Sequence, residues 1–152
     1  VKIYVASSWR NKRQPNIVSL LREHKHDVYD FRNSREGGMG FHWSEIDPNW
    51  KNWTKEQYRE RLSYLIAESG YQKDMWAMMW ADVFVGVMPF GRSASMEMGW
   101  AAGRGKITAL LLHDGEPELM VKMFDYICCD ERELLEALNQ RGAITYRDVS
   151  KE

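Results

Sequence analysis

Five short apolar runs alternate with helix-patterned segments along the chain, and this alternation restricts the fold more than any single motif. Val1 to Ala6, Asp27 to Phe31, Asp82 to Met88, Ile107 to Leu112 and Tyr126 to Cys129 read as strands. Between them, apolar residues recur at helical spacing: Ile17, Leu20 and Leu21; a segment opened by the Thr54/Gln57 capping box and running to about Glu68; Tyr71 to Trp80; the stretch after Gly91; Pro117 to Phe124; and Glu131 to Asn139. Gly70 is expected to separate the second of these helices from the third. The pattern predicts an α/β fold, a flavodoxin-like or Rossmann-like parallel sheet of five strands with helices on both faces. With 152 residues and 44% hydrophobic content, a single domain over 1–152 is expected, interrupted by an aromatic insertion at about 41–53. Asn33 to Gly40 reads as a loop, punctuated by Gly37, Gly38 and Gly40, and Gly142 to Glu152 as a polar, loosely held tail.

Charge and cysteine usage exclude several roles. The 21 basic and 22 acidic residues are mixed along the chain, so no global field gathers a nucleic acid polymer or an anionic membrane. No apolar run reaches the roughly 18 residues a membrane span needs, and no leader pattern opens the chain, so a cytoplasmic protein is expected. Cys128 and Cys129 are adjacent, which suits buried thiols better than a disulfide or a zinc site. His24 and His26 lack a companion ligand set, and no metal is expected.

Common nucleotide motifs fail on their own terms. A dinucleotide fold needs Gly-x-Gly-x-x-Gly after the first strand, where this chain has Ala6-Ser7-Ser8-Trp9-Arg10-Asn11. Gly105-Lys106 is followed by Ile107 and a strand, so it is no P-loop. What stands out is Glu97. An apolar strand runs through a small-residue loop into a helix that carries Glu97 in its first turn, at the carboxyl edge where open α/β sheets hold ligands. With Ser93 as the expected N-cap, the helix amides and dipole favour an ionised carboxylate there. Such a carboxylate can attack or support an anomeric carbon while a second acid, Asp74, serves the leaving group and the Tyr4 hydroxyl orients the first. The plainer reading of pattern alone makes Glu97 a dipole-compensating surface residue, Asp74 a solvated helix residue and Tyr4 a packed strand aromatic.

The run Ile3-Tyr4-Val5-Ala6-Ser7-Ser8-Trp9-Arg10, then Asp74, Asp82-Val83-Phe84-Val85, and Glu97-Met98-Gly99-Trp100-Ala101 through Gly105-Lys106, together resemble the nucleoside 2-deoxyribosyltransferase family and its N-glycosidase relatives, among them the 2'-deoxynucleoside 5'-phosphate N-hydrolases. The resemblance covers roughly residues 1 to 130. It implies Glu97 as nucleophile, Asp74 as the acid at the leaving base and Tyr4 as the tyrosine that orients the glutamate. Ser8 and Arg10 match the Ser-x-Arg that binds a 5'-phosphate in the hydrolases, with Ser7 in the same loop. Six residues before Glu97 the transferases carry aspartate and the nucleotide hydrolases serine; this chain has Gly91, leaving Arg92, Ser93 and Ser95 for phosphate contacts or, for Ser93, helix capping alone.

The implied activity is cleavage of an N-glycosidic bond in a nucleoside 5'-monophosphate or related small nucleotide, by hydrolysis or base exchange, without a cofactor, in a homo-oligomer. A nucleotide sensor that cleaves nothing and a glycohydrolase acting on a dinucleotide such as NAD are the alternatives. His42, Trp43 and Trp53 in the aromatic insertion are candidates to stack on the base, against a core or interface role for the same rings. Trp76, Met79 and Trp80 are expected in the core.

Overall fold

A computed structural model describes residues 1–33 and 40–139. Residues 34–39, which include Gly37 and Gly38, and the tail from Gly142 lie outside the described residues.

Strands form where β-branched and aromatic residues cluster: β1 (Lys2–Ala6), β2 (Asp27–Asp30), β3 (Val83–Val87), β4 (Ile107–Leu111) and β5 (Tyr126–Cys128). Their order across the sheet is β2-β1-β3-β4-β5, the doubly wound order of a flavodoxin-like fold. β1 pairs in parallel with β3, Tyr4 opposite Phe84 and Ala6 opposite Gly86; β3 pairs with β4 and β4 with β5 in the same sense. Every residue of β3 is buried, as a central parallel strand covered on both faces requires.

Alternation along the strands divides the core. Ile3, Val5, Val83, Val85, Val87, Ala109 and Leu111 face one side, beneath Ile17, Val18 and Leu21 of helix α1 (Gln14–Glu23) and Leu134 of helix α5 (Glu131–Asn139). Each valine, leucine or isoleucine among them, fully withdrawn from water, contributes about 1.5–3 kcal/mol. Tyr4, Phe84, Gly86 and Leu110 face the other side, which helix α4 (Arg92–Gly103) covers with Met98. α4 ends in a Schellman motif: the N–H of Lys106 donates to Ala101 O at 3.0 Å and that of Gly105 to Ala102 O at 3.2 Å. Gly105 sits at φ 71°, a left-handed conformation that a side chain would strain, and it turns the chain straight into β4.

Internal contacts divide the chain into two compact units, Val1–Tyr29 with Trp80 onward, and Asp30–Met79. The second holds helices α2 (Lys55–Arg61) and α3 (Leu65–Trp80), the latter reaching one residue beyond it. The Thr54/Gln57 capping box forms as expected, with Thr54 Oγ1 accepting from Gln57 N at 3.2 Å and Gln57 Oε1 accepting from Thr54 N at 3.0 Å.

Three helix expectations are corrected. The break between the second and third helices falls at 62–64, and α3 runs through Gly70, because Gly70 answers to packing: a methyl there would lie 3.0 Å from Phe41 Cβ. Pro117 to Phe124 forms only a 3-10 turn, Leu119–Met123, since Phe124 turns extended and is buried as the chain enters β5. Trp76 and Met79 are 62% and 57% exposed, and the residues α3 buries are Ala67, Ala77 and Met78.

Candidate active site

In a doubly wound sheet the ligand crevice opens beyond the carboxyl ends of the strands where the winding direction reverses, here between β1 and β3. Residues singled out from the sequence follow both strands: Ser7, Ser8 and Arg10 in the loop after β1, Gly91 at the end of the loop after β3, and Arg92, Ser93 and Ser95 in the first turn of α4.

The two loops are fastened to each other by a buried polar knot that sequence reasoning missed. Ser7 Oγ donates to Val87 O at 2.8 Å and accepts from Asn11 Nδ2 at 2.9 Å. Asn11 Nδ2 also reaches Val87 O at 2.9 Å and Pro89 O at 3.1 Å, while Asn11 Oδ1 accepts from Arg13 N at 2.9 Å. Both residues are buried, so these bonds satisfy groups that would otherwise be costly to desolvate. The signal was present in the sequence: an asparagine shortly before Gln14-Pro15, where an Asx side chain can meet the amides of a starting helix. Ser8 Oγ accepts from Arg10 N at 3.2 Å, which shapes the exposed tip that carries Trp9 and Arg10.

At the other loop the N-cap of α4 is Gly91, not Ser93. Gly91 is extended (φ −99°, ψ −154°), its carbonyl accepts from Ser95 N at 3.2 Å and from Ser95 Oγ at 2.9 Å, and no side chain caps the amides that follow. Arg92 already has helical geometry, so Ser93 stands inside the first turn and cannot cap it. The shift also places Glu97 in the second turn rather than the first, and the helix dipole acts on it less than expected.

Glu97 nevertheless occupies a purposeful position on α4. It is half-buried and shares a stripe with Ala94, Met98 and Ala101, three of the four residues α4 buries. Tyr4, with no exposed surface, lies on the sheet face that α4 covers, its ring stacked between Tyr29 at 5.3 Å and Phe84 at 5.0 Å. Phe84 in turn meets Trp100 of α4 at 6.0 Å. The structure therefore brings Tyr4 and the Glu97 helix to one side of the sheet, beside the loops of the switch point.

Asp74, His42, Trp43 and Trp53 belong to the second unit. Asp74 is half-buried on α3. Trp43 packs against Phe41 (4.9 Å between ring centres), Trp53 (5.7 Å) and Tyr58 (5.8 Å), so the rings of this segment form a cluster. Trp53 donates its indole N–H to Asp47 at 2.7 Å and carries the Arg61 guanidinium 4.9 Å from its ring centre. That indole bond, helped by the Asn49 amide and Arg61, holds the Asp47 carboxyl below its ordinary range. His42 is exposed and caps the 3-10 turn Trp43–Glu45 through Ser44 N.

Among the described residues no group of three or more His, Cys, Asp or Glu is placed to hold a metal ion, and no helix is long and apolar enough to cross a membrane.

Comparison with solved structures gives two informative neighbours. A 2-deoxyribosyltransferase from Bacillus psychrosaccharolyticus superposes with a TM-score of 0.59 at 22% identity, over 88% of this chain and 90% of that one. The chain shares its fold. The CMP N-glycosidase BcmB of Clostridium botulinum has a TM-score of 0.51 at 19% identity, over 90% of this chain and 97% of its own. The shared architecture is the one the sequence resemblance implied, and it spans nearly the full length of both neighbours. No protein-family model and no curated protein matches the chain by sequence.

Proposed function

We propose that the chain is an enzyme that breaks the N-glycosidic bond of a nucleoside 5'-monophosphate or related small nucleotide, with Glu97 as nucleophile. The observation that carries this reading is the placement of a half-buried carboxylate on the sheet-facing stripe of α4, next to the β1/β3 switch point and on the same side as buried Tyr4. The named activities of the two structural neighbours, deoxyribosyl transfer and CMP N-glycosidase, supply the reaction class.

In this mechanism a Glu97 oxygen forms a bond to the anomeric carbon as the bond from that carbon to the base nitrogen breaks. The base departs with the electron pair and receives a proton from Asp74. Water then attacks the same carbon, gives its proton to the Asp74 carboxylate left by the first step, and releases Glu97 as carboxylate; a second base in place of water makes the reaction a transfer. The Tyr4 hydroxyl orients the nucleophile. A 5'-phosphate is met by Arg10, by Ser8 and the backbone amides of its loop, and by the uncapped amides of Arg92 and Ser93 after Gly91 at the start of α4, the Ser7 hydroxyl being spent on Val87 and Asn11. His42, Trp43 and Trp53 form a wall for the base, supported by the ring-rich surface of that segment.

The test is a panel of nucleosides, monophosphates and NAD, with released base separated by chromatography, in buffer containing EDTA. Wild-type protein is expected to release base, and Glu97→Gln to lose on the order of 10^4-fold in rate. A protein that binds a monophosphate yet releases no base from any substrate overturns the enzymatic reading in favour of a sensor.

A further inference from the structure

Asn11 holds together the two segments on which the proposed reaction depends, and its chemistry leaves little freedom in how it does so. Its two amide protons are aimed at three acceptors, Ser7 Oγ, Val87 O and Pro89 O, and its carbonyl oxygen faces the Arg13 N–H. Rotating the amide by half a turn would press one carbonyl oxygen against two others, so the orientation is fixed by the partners. Its backbone N–H donates to Ser8 O at 3.0 Å and closes the turn Ser8-Trp9-Arg10-Asn11. One residue thus sets the tip of the first loop, holds the amide of Arg13 just ahead of α1, and grips the chain where β3 leaves the sheet toward α4.

We propose that Asn11 is a positioning residue that fixes the spacing between the anion-binding tip at Ser8 and Arg10 and the helix that carries Glu97. It touches no substrate. This rests on the N-glycosidase reading above and deepens it: the clasp makes a 5'-phosphate, held at the tip, a handle that registers the sugar against the carboxylate. Remote binding energy is then used for orientation, which is lost when the handle and the reacting group are no longer held at a set distance. Ser7 is the lesser member, since it adds one bond to Val87 O and lends one acceptor to Asn11.

Asn11→Asp tests the idea at constant size, because the carboxylate keeps the Arg13 contact but presents no proton to the two carbonyls. Steady-state base release is measured on one nucleoside monophosphate and on the matching nucleoside, at a temperature where circular dichroism shows both proteins folded. The expected result is a drop of at least about tenfold in the monophosphate-to-nucleoside ratio of kcat/KM, a value of one tenfold binding step, with kcat on the nucleoside little changed. Ser7→Ala is expected to shift the same ratio in the same direction by less, and it stands in if Asn11→Asp does not fold. An unchanged ratio in both variants, with only the urea midpoint lowered, overturns the proposal and leaves Asn11 a stabilising residue.

Amide hydrogen exchange separates this failure from that of the enzymatic reading. If wild-type protein releases base from nothing, the catalytic assignment falls, and the clasp is judged by exchange alone. Faster exchange at the amides of Asn11, Met88 and Ser95 in Asn11→Asp supports a physical link between the loops, whereas unchanged exchange there overturns it.

Discussion

Gly70→Ala offers a sign test, because two physical effects oppose each other at one atom. Within an exposed helix the substitution stabilises by about 0.8–1 kcal/mol, since alanine loses less backbone entropy than glycine. In α3, however, the new methyl would stand 3.0 Å from Phe41 Cβ, 3.1 Å from its Cγ and 3.5 Å from Cδ2. Real Cβ contacts seldom fall below 3.4 Å, so Phe41 has to give by a few tenths of an ångström. The atom that blocks the methyl is the first of its side chain, which no rotamer change moves, and the Phe41 ring is itself set against Trp43. Overpacking of this kind costs about 1–3 kcal/mol, which exceeds the helix gain and leaves a net loss of about 1 kcal/mol. Urea unfolding followed by far-UV circular dichroism measures it. In a Phe41→Gly background the obstacle is gone, and Gly70→Ala should there stabilise, giving a coupling of about 2 kcal/mol between the two sites. Stabilisation by Gly70→Ala in the otherwise wild-type protein would refute the reasoning, for it would mean that Phe41 does not rest on α3.

Two further expectations follow from titratable groups. Asp47 has its carboxyl lowered from 3.8 chiefly by the Trp53 indole, so its contribution to folding is complete above that value and is lost as pH falls through the lower, folded one. The urea-midpoint gap between wild type and Asp47→Ala should hold from pH 7 to about pH 5 and close in more acidic solution; a gap that persists at the most acidic point would show that the bond does not need the charge. Burial, with Glu133, Cys129 and Asp130 nearby, pushes the Cys128 thiol up to about 11, while Cys129 is exposed. Iodoacetamide at pH 8 should give one adduct, on Cys129, until urea is added; equal labelling of both in the native protein would contradict the burial of Cys128.

The strands were legible because each is a run whose residue types serve no other purpose. Val83-Phe84-Val85-Gly86-Val87 can be buried on both faces only as a central parallel strand, and the β1 and β4 runs read the same way. Helix ends were harder, because one residue type answers to more than one demand. Gly70 reads as an interruption when only local propensity is considered, yet it is glycine because Phe41 presses on it. Ser93 is the better cap by composition, yet the chain enters α4 two residues earlier at Gly91. Glu97 was singled out by its place after a strand, Tyr4 by its place on one, and both by family likeness. For Asn11 only its local role before Gln14-Pro15 could be read; its grip on Val87 and Pro89 could not, because these are carbonyls distant in the chain and backbone oxygens leave no mark in a sequence.

The rings of Tyr29, Tyr4, Phe84 and Trp100 form a file that starts on the edge strand β2, crosses β1 and β3 and ends on α4. Chromophores so closely spaced and so firmly held share their transition dipoles, and the asymmetry of that array is visible to circularly polarised light near 280 nm. The molecule therefore carries its own optical gauge for α4, and any shift of that helix can be followed without attaching a label.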